Sequence, residues 1–98
     1  MRIKLKSKIH THVEDADLKC EGSITLPKEL MEKADIEPYE QVHVLNVSTG
    51  GRYITYAMEG DCVRVNGALA RRVSIGDEVI ILSYVIGKII PRFVEWKS

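Results

Sequence analysis

Ile3-Lys-Leu-Lys-Ser-Lys-Ile-His-Thr-His-Val13 changes character at every second residue. Ile3, Leu5, Ile9 and Val13 share one face with Ser7 and Thr11, while Arg2, Lys4, Lys6, Lys8, His10 and His12 share the other. A period of two held over a dozen residues predicts a strand with one face on a core and one in solvent. The basic face reads as solvated, the ordinary state of lysine.

Outward from this strand the chain continues in short pieces. Glu14 to Asp17 reads as a polar turn, and Leu18 to Ile24 as a second strand interrupted at Gly22. Pro27 suits the first position of a helix, with Leu30, Met31 and Ala34 at helical spacing and an end near Asp35. Val42 to Val47 and Arg52 to Met58 read as strands around a Gly50-Gly51 hairpin turn. Cys62 to Val65 is a further strand, Asn66-Gly67 a turn, and Ala68 to Val73 a helical turn. Glu78 to Ile86 is a nearly continuous apolar run, the pattern of a strand buried on both faces. The end, Gly87 to Ser98, with Pro91 and Trp96, is an edge strand or a packing tail. A weak internal echo runs through Leu30 to Val47 and Leu69 to Val85: short helix, isoleucine, acidic turn, apolar strand. Six strands with one or two short helices and no βαβ spacing predict an all-β closed barrel in one domain, 1–98.

The 98 residues exclude a two-domain enzyme with its own cofactor fold. Apolar residues at 45% and charged residues at 29% are those of an ordinary globular chain. Fourteen Lys+Arg against fourteen Asp+Glu leave no net charge, which argues against a protein living on phosphate contacts. No apolar run approaches the roughly 20 residues that span a bilayer, and the charged start has no apolar signal core. Cys20 and Cys62 fit no C-x-x-C or zinc pattern, so a reducing cytoplasm is the expected compartment. A small core and zero net charge both favour an oligomer.

The functional signal lies in four stretches: Lys8-Ile-His10, Glu21-Gly-Ser23, Asn46 followed by Gly51-Arg-Tyr-Ile-Thr-Tyr56, and Val65-Asn-Gly-Ala68. Singly each is common, and Gly22-Ser23 alone reads as a bulge or turn. As an ordered set over residues 1 to about 85 they resemble the pyruvoyl-dependent aspartate 1-decarboxylase family, which makes β-alanine for pantothenate. The resemblance implies a six-stranded double-psi β-barrel, a cytoplasmic homotetramer and L-aspartate as substrate, with no nucleic acid or membrane partner.

It also implies the roles of the residues. The Ser23 hydroxyl attacks the Gly22 carbonyl, the chain is cut there, and Ser23 becomes a pyruvoyl group; no metal and no pyridoxal phosphate takes part. Cleavage is either spontaneous or helped by a maturation factor. Glycine suits position 22 because it carries no Cβ to block attack and tolerates strained backbone angles. The pyruvoyl carbonyl then serves as a pyridoxal does, joining the substrate amine and taking up the electrons released with CO2. Tyr56 matches the proton donor, a phenol that stays protonated at neutral pH. Arg52 matches the carboxylate-binding arginine, whose planar fork suits bidentate contact, and Lys8 matches a second basic contact. Thr55 and Asn66 match residues that assist self-cleavage, Thr55 also lying at the substrate. Gly67, Ala68 and Leu69 match the backbone that cradles it. Two departures stand out: Cys20 occupies a position usually held by tyrosine, and Leu69 replaces a small residue.

Two other readings were weighed. His10 and His12, joined by His43, suggest zinc, but no Cys or carboxylate completes a set; His10 reads better as a neighbour of the processing site. Gly22-Ser-Ile-Thr-Leu-Pro-Lys-Glu-Leu30 through Val44 looks like the swapped-hairpin AbrB-type transcription factors. Those domains are about half this length and need a basic face, which only the first strand supplies.

Overall fold

The computed structural model describes residues 1–97. The strands are β1 (Ile3–His12), β2 (Asp15–Asp17), β3 (Ser23–Pro27), β4 (Gln41–Asn46), β5 (Arg52–Gly60), β6 (Arg64–Asn66), β7 (Glu78–Ile86) and β8 (Arg92–Glu95). One α-helix, α1 (Lys28–Ala34), follows β3, and a 3-10 turn covers Gly67–Arg71. The strands lie in one sheet in the order β2-β6-β3-β5-β4-β7-β1-β8. Five of its inner six strands fall where the pattern puts them, and the sixth, β3, begins at Ser23 and overlaps the expected Leu18 to Ile24 strand only at its end. The two extra ones are short, sit at the two edges and are not paired with each other, so among the described residues no hydrogen-bonded ladder closes the sheet.

β1 forms because its alternation is satisfied: Ser7, Ile9 and Thr11 are buried while Lys4, Lys8 and His12 are exposed. Lys6 breaks the pattern. The β1–β7 register shifts between Leu5 and Ser7, a bulge that turns Lys6 inward. There its ammonium meets Glu40 at 2.7 Å, which offsets the desolvation of a lysine only 9% exposed. β7 alternates buried with half-buried residues, so only one of its faces is in the core, unlike the doubly buried strand expected from its composition.

Two local expectations fail for one reason, the Asp15–Asp17 segment. In place of a polar turn it forms β2, parallel to β6, held where Asp15 accepts from Arg64 Nε at 2.8 Å. Residues 18–22 then form a turn rather than a strand. Asp17 accepts from the Lys19 N–H and the Cys20 thiol, both at 3.0 Å, and such short acceptors compete with a ladder. The tail resolves into an edge strand, β8, parallel to β1, with Trp96 packed against the core.

Pro27 is the N-cap of α1 and not its first helical residue as expected; the helix starts one position later, at Lys28. Leu30, Met31 and Ala34 cover the sheet, and Asp35 closes the helix in the left-handed region. Ile9, Ile24, Leu26, Leu30, Val42, Val44 and Ile81 are fully buried and bring β1, β3, β4, β7 and α1 into one core. Among the described residues no helix is long and apolar enough to cross a membrane.

Candidate active site

Ser23 is the first residue of β3, which runs parallel to β5 on one side and antiparallel to β6 on the other. Ile24 pairs with Ala57, so the same register carried back sets Ser23 beside Tyr56 and Gly22 beside Thr55. On the other side Ser23 pairs with Asn66. The chain topology thus brings three of the expected residues, Thr55, Tyr56 and Asn66, to the Gly22–Ser23 peptide bond.

The hydrogen bonds at that bond are specific. Thr55 Oγ1 donates to the Gly22 carbonyl at 3.4 Å. Asn66 Nδ2 donates to Ser23 Oγ at 3.0 Å and to Thr25 Oγ1 at 2.9 Å. Ser23 Oγ in turn reaches the Glu21 carbonyl at 3.5 Å, a long contact. Ser23 and Asn66 are 5% and 4% exposed, so these bonds form away from bulk water, where they are stronger.

The glycine that the backbone requires is Gly67, not Gly22. A Cβ on Gly22 would meet only the Ala68 nitrogen, at 3.8 Å. Gly67 has φ +59, and a Cβ there would lie 2.4 Å from the Cys20 carbonyl and 2.7 Å from the Gly22 nitrogen. Gly67 therefore lets the 3-10 turn press directly on the segment ahead of Ser23.

Two cavities flank the peptide. One of about 320 Å3 is lined by Ser23, Thr25, Tyr56 and Asn66, with Asp17, Cys20, Tyr39 and Arg64. The other, about 640 Å3, is lined by Gly22, Arg52, Thr55, Ala68, Leu69 and Arg72, with Tyr53 and Ile54. Thr55 and Tyr56 are neighbours on β5 and face opposite cavities, as strand alternation requires. Tyr56 stacks on Tyr39 with ring centres 6.0 Å apart. Arg52 Nη1 donates to His43 Nδ1 at 3.3 Å, which places the His43 proton on Nε2. Leu69 is 6% exposed and forms cavity wall continuous with the core. In the smaller cavity the Asp17 carboxylate pushes the Cys20 thiol up, and the same hydrogen bond holds Asp17 below its usual value. A thiol held protonated in this way is a weak nucleophile.

Lys8 stands apart: it is exposed on β1 between β7 and β8 and lines neither cavity. His10 is also elsewhere, a correction to its reading as a neighbour of the processing site. Its ring bonds Glu78 through Nε2 and Glu95 through Nδ1, and these carboxylates raise its pKa. Among the described residues no three His, Cys, Asp or Glu side chains gather as metal ligands. Three further residues lie at the site without a signal in the sequence: Tyr39 and Arg72 carry no pattern that sets them apart, and His43 suggests only a metal ligand.

The sequence pattern of the aspartate decarboxylase family matches residues 1–89. The chain belongs to the aspartate decarboxylase family. It is 51% identical over 90 residues to the aspartate 1-decarboxylase of Thermoanaerobacter pseudethanolicus, covering 87% of this chain and 77% of that one. It is 51% identical to that of Syntrophus aciditrophicus over 90 residues, 87% and 78% of the two chains. The Syntrophotalea carbinolica enzyme is 54% identical over 89 residues, 86% of this chain and 68% of its own. The family fold is the double-psi β-barrel, in agreement with the mainly β architecture, and the reading as a decarboxylating lyase stands over the DNA-binding alternative.

Proposed function

We propose that this chain cuts itself between Gly22 and Ser23, carries a pyruvoyl group on Ser23, and converts L-aspartate to β-alanine and CO2. The observation that carries the reading is the grip on one peptide bond from two sides: Thr55 on the Gly22 carbonyl oxygen and Asn66 on the Ser23 hydroxyl.

Each hydrogen bond has a chemical consequence. As Ser23 Oγ bonds to the Gly22 carbonyl carbon, negative charge grows on the carbonyl oxygen, where the Thr55 hydroxyl already donates. Asn66 donates to Oγ, so the hydroxyl proton points away from it, toward the Glu21 carbonyl, and that long contact holds it only weakly. The C–N bond then breaks, the nitrogen takes a proton, and an ester joins the two residues. Loss of the Ser23 Cα proton with rupture of the Cβ–O bond frees the Gly22 carboxylate. Addition of water and loss of ammonia leave the pyruvoyl end.

The site fits such a group, since Ser23 opens on a cavity large enough for a small substrate and holds hydrogen-bond donors around its own position. The group supplies an electrophilic carbonyl and a sink for the electrons released with CO2. Gly22 belongs to one cavity and Ser23 to the other, so the peptide between them is shared wall, and cutting it lets the two join. Arg52 takes a substrate carboxylate from one side, and Tyr56, held by Tyr39, delivers a proton from its hydroxyl on the other.

We further assign a homotetramer that works in the cytoplasm and feeds pantothenate synthesis. Ile3 and Ile86, paired across β1 and β7, are 72% and 60% exposed and favour association. Lys8 then reaches a substrate only from a neighbouring copy. Two free cysteines agree with a reducing compartment.

Intact mass of the purified protein tests the reading. Two pieces, ending at Gly22 and beginning at Ser23, are expected, together with β-alanine from aspartate. The Ser23→Ala chain should stay whole and folded. Cutting of that variant at the same bond overturns the proposed chemistry. Incubating purified protein alone separates spontaneous cleavage from a maturation factor.

A further inference from the structure

The larger cavity holds a second arginine besides Arg52. Arg72 follows the 3-10 turn and lines the same cavity as Arg52, which starts β5. No aspartate or glutamate is among the residues lining that cavity. Neither arginine is ion-paired with any described carboxylate: Arg52 meets only the neutral side of His43, and the Arg72 side chain has no partner among the described residues. The smaller cavity is the opposite case. Its lining includes Asp17 and Glu21, and its arginine, Arg64, is taken up by Asp15 at 2.8 Å and Asp61 at 3.3 Å.

The backbone of Arg72 is fixed even though its side chain is free. Its carbonyl accepts from Asn46 Nδ2 at 3.3 Å, and Asn46 is 1% exposed and also bonds Asp77 at 2.8 Å. Its N–H bonds the Leu69 carbonyl at 3.0 Å. A guanidinium on a rigid root, exposed and without an acid, is a ready carboxylate receptor.

Resting on the reading of this cavity as the substrate site, we propose that Arg72 is a specificity-determining residue that binds one carboxylate of the substrate while Arg52 binds the other. The pair selects a short dicarboxylate. A monocarboxylate leaves one guanidinium without its anion and gains only half of the attraction. Lys8 lines neither cavity of its own chain, so Arg72 is the second cation that one chain supplies here.

Succinate tests this, because it has two carboxylates at the spacing of aspartate and no amine to react. Its affinity is measured by calorimetry on the wild-type chain, Arg72→Gln and Arg72→Lys, with butyrate as the monocarboxylate control. Arg72→Gln should weaken succinate roughly 10- to 100-fold, the loss of one charge-assisted contact, and leave butyrate within about twofold. Arg72→Lys should recover part of the loss. On processed protein, Arg72→Gln should raise the KM for aspartate by a similar factor and leave kcat within about threefold, as loss of uniform binding requires. Succinate binding by Arg72→Gln within twofold of wild type overturns the assignment. Failure of the wild-type chain to yield β-alanine overturns the decarboxylase reading instead, and the succinate comparison still decides on Arg72.

Discussion

Gly67→Ala is the sharpest test of how the fold prepares the Gly22–Ser23 bond. The added methyl would lie 2.4 Å from the Cys20 carbonyl oxygen, 2.7 Å from the Gly22 nitrogen and 2.9 Å from the Glu21 carbonyl carbon. All three are backbone atoms, so no side chain can swing aside. Restoring ordinary contact needs a shift of about 1 Å in the segment leading to Ser23. The left-handed φ of +59 adds its own penalty for a residue with a Cβ, about 1–2 kcal/mol. With an overpacking cost of about 1–3 kcal/mol, the uncut variant should lose about 2–5 kcal/mol. A displacement of that size at a reacting centre slows attack by about 100-fold. The assay is twofold: urea unfolding of the uncut chain, and the time course of cleavage by intact mass under conditions where the variant remains folded. Cleavage at the wild-type rate in folded Gly67→Ala refutes the reasoning, because the contacts would then not govern the geometry of the bond.

Other expectations rest on separate parts of the molecule. Tyr56→Phe keeps the stack on Tyr39 and removes the proton, so turnover on chains shown by mass to be processed should fall about 10²–10⁴-fold; near-normal turnover removes Tyr56 from the mechanism. His10 has its pKa raised from 6.5 by Glu78 and Glu95, so its contribution to holding β8 is fully present below that value and fades as pH climbs through the raised one. Hydrogen exchange at the Trp96 amide, which bonds the His10 carbonyl at 2.9 Å, should accelerate over that window after correction for intrinsic rates; a flat profile rejects the link. Asp35→Gly should stabilise the chain by about 0.5–1 kcal/mol, because Asp35 ends α1 at φ 56 and its carboxylate holds no hydrogen bond. An unchanged or lower urea midpoint contradicts it.

How much of this was legible follows from the range of the interactions involved. β1 announced itself because alternation is local and the pleat has a fixed period, and β4 and β5 because a glycine turn separates two strand-forming runs. The inward turn of Lys6 did not, because a bulge belongs to the β1–β7 pairing and to Glu40, 34 residues away in sequence. β2 was unreadable in Asp15-Ala-Asp17, residues with little strand preference, since it depends on Arg64 from a distant segment. The short motifs named Gly22, Ser23, Thr55, Tyr56 and Asn66 together, and the fold does bring them together. Nothing in them distinguished Arg72 from Arg71, or placed His10 between Glu78 and Glu95, because both depend on the pairing of elements far apart in the chain.

The position of the Gly22–Ser23 bond within the sheet suits the proposed cut. Ser23 is where the β3 ladder begins, so Gly22 lies just outside the paired strand, and its carbonyl is held by the Thr55 side chain instead of a strand neighbour. The residues after it, Ile24 and Leu26, are fully buried and paired with β5, with β6 bordering the start of the strand. The residues before it, 18–22, form a turn fastened locally by Asp17 and pressed by Gly67. A cut between them separates two segments that are each anchored independently, β3 between β5 and β6, and before it β1 on β7 and β2 on β6. A cut one or two residues later would sever a strand between its ladder bonds and free buried apolar side chains at about 1.5–3 kcal/mol each. The proposed site of scission is thus the last peptide before the core, close enough to be gripped by Thr55 and Asn66 and outside the paired part of β3.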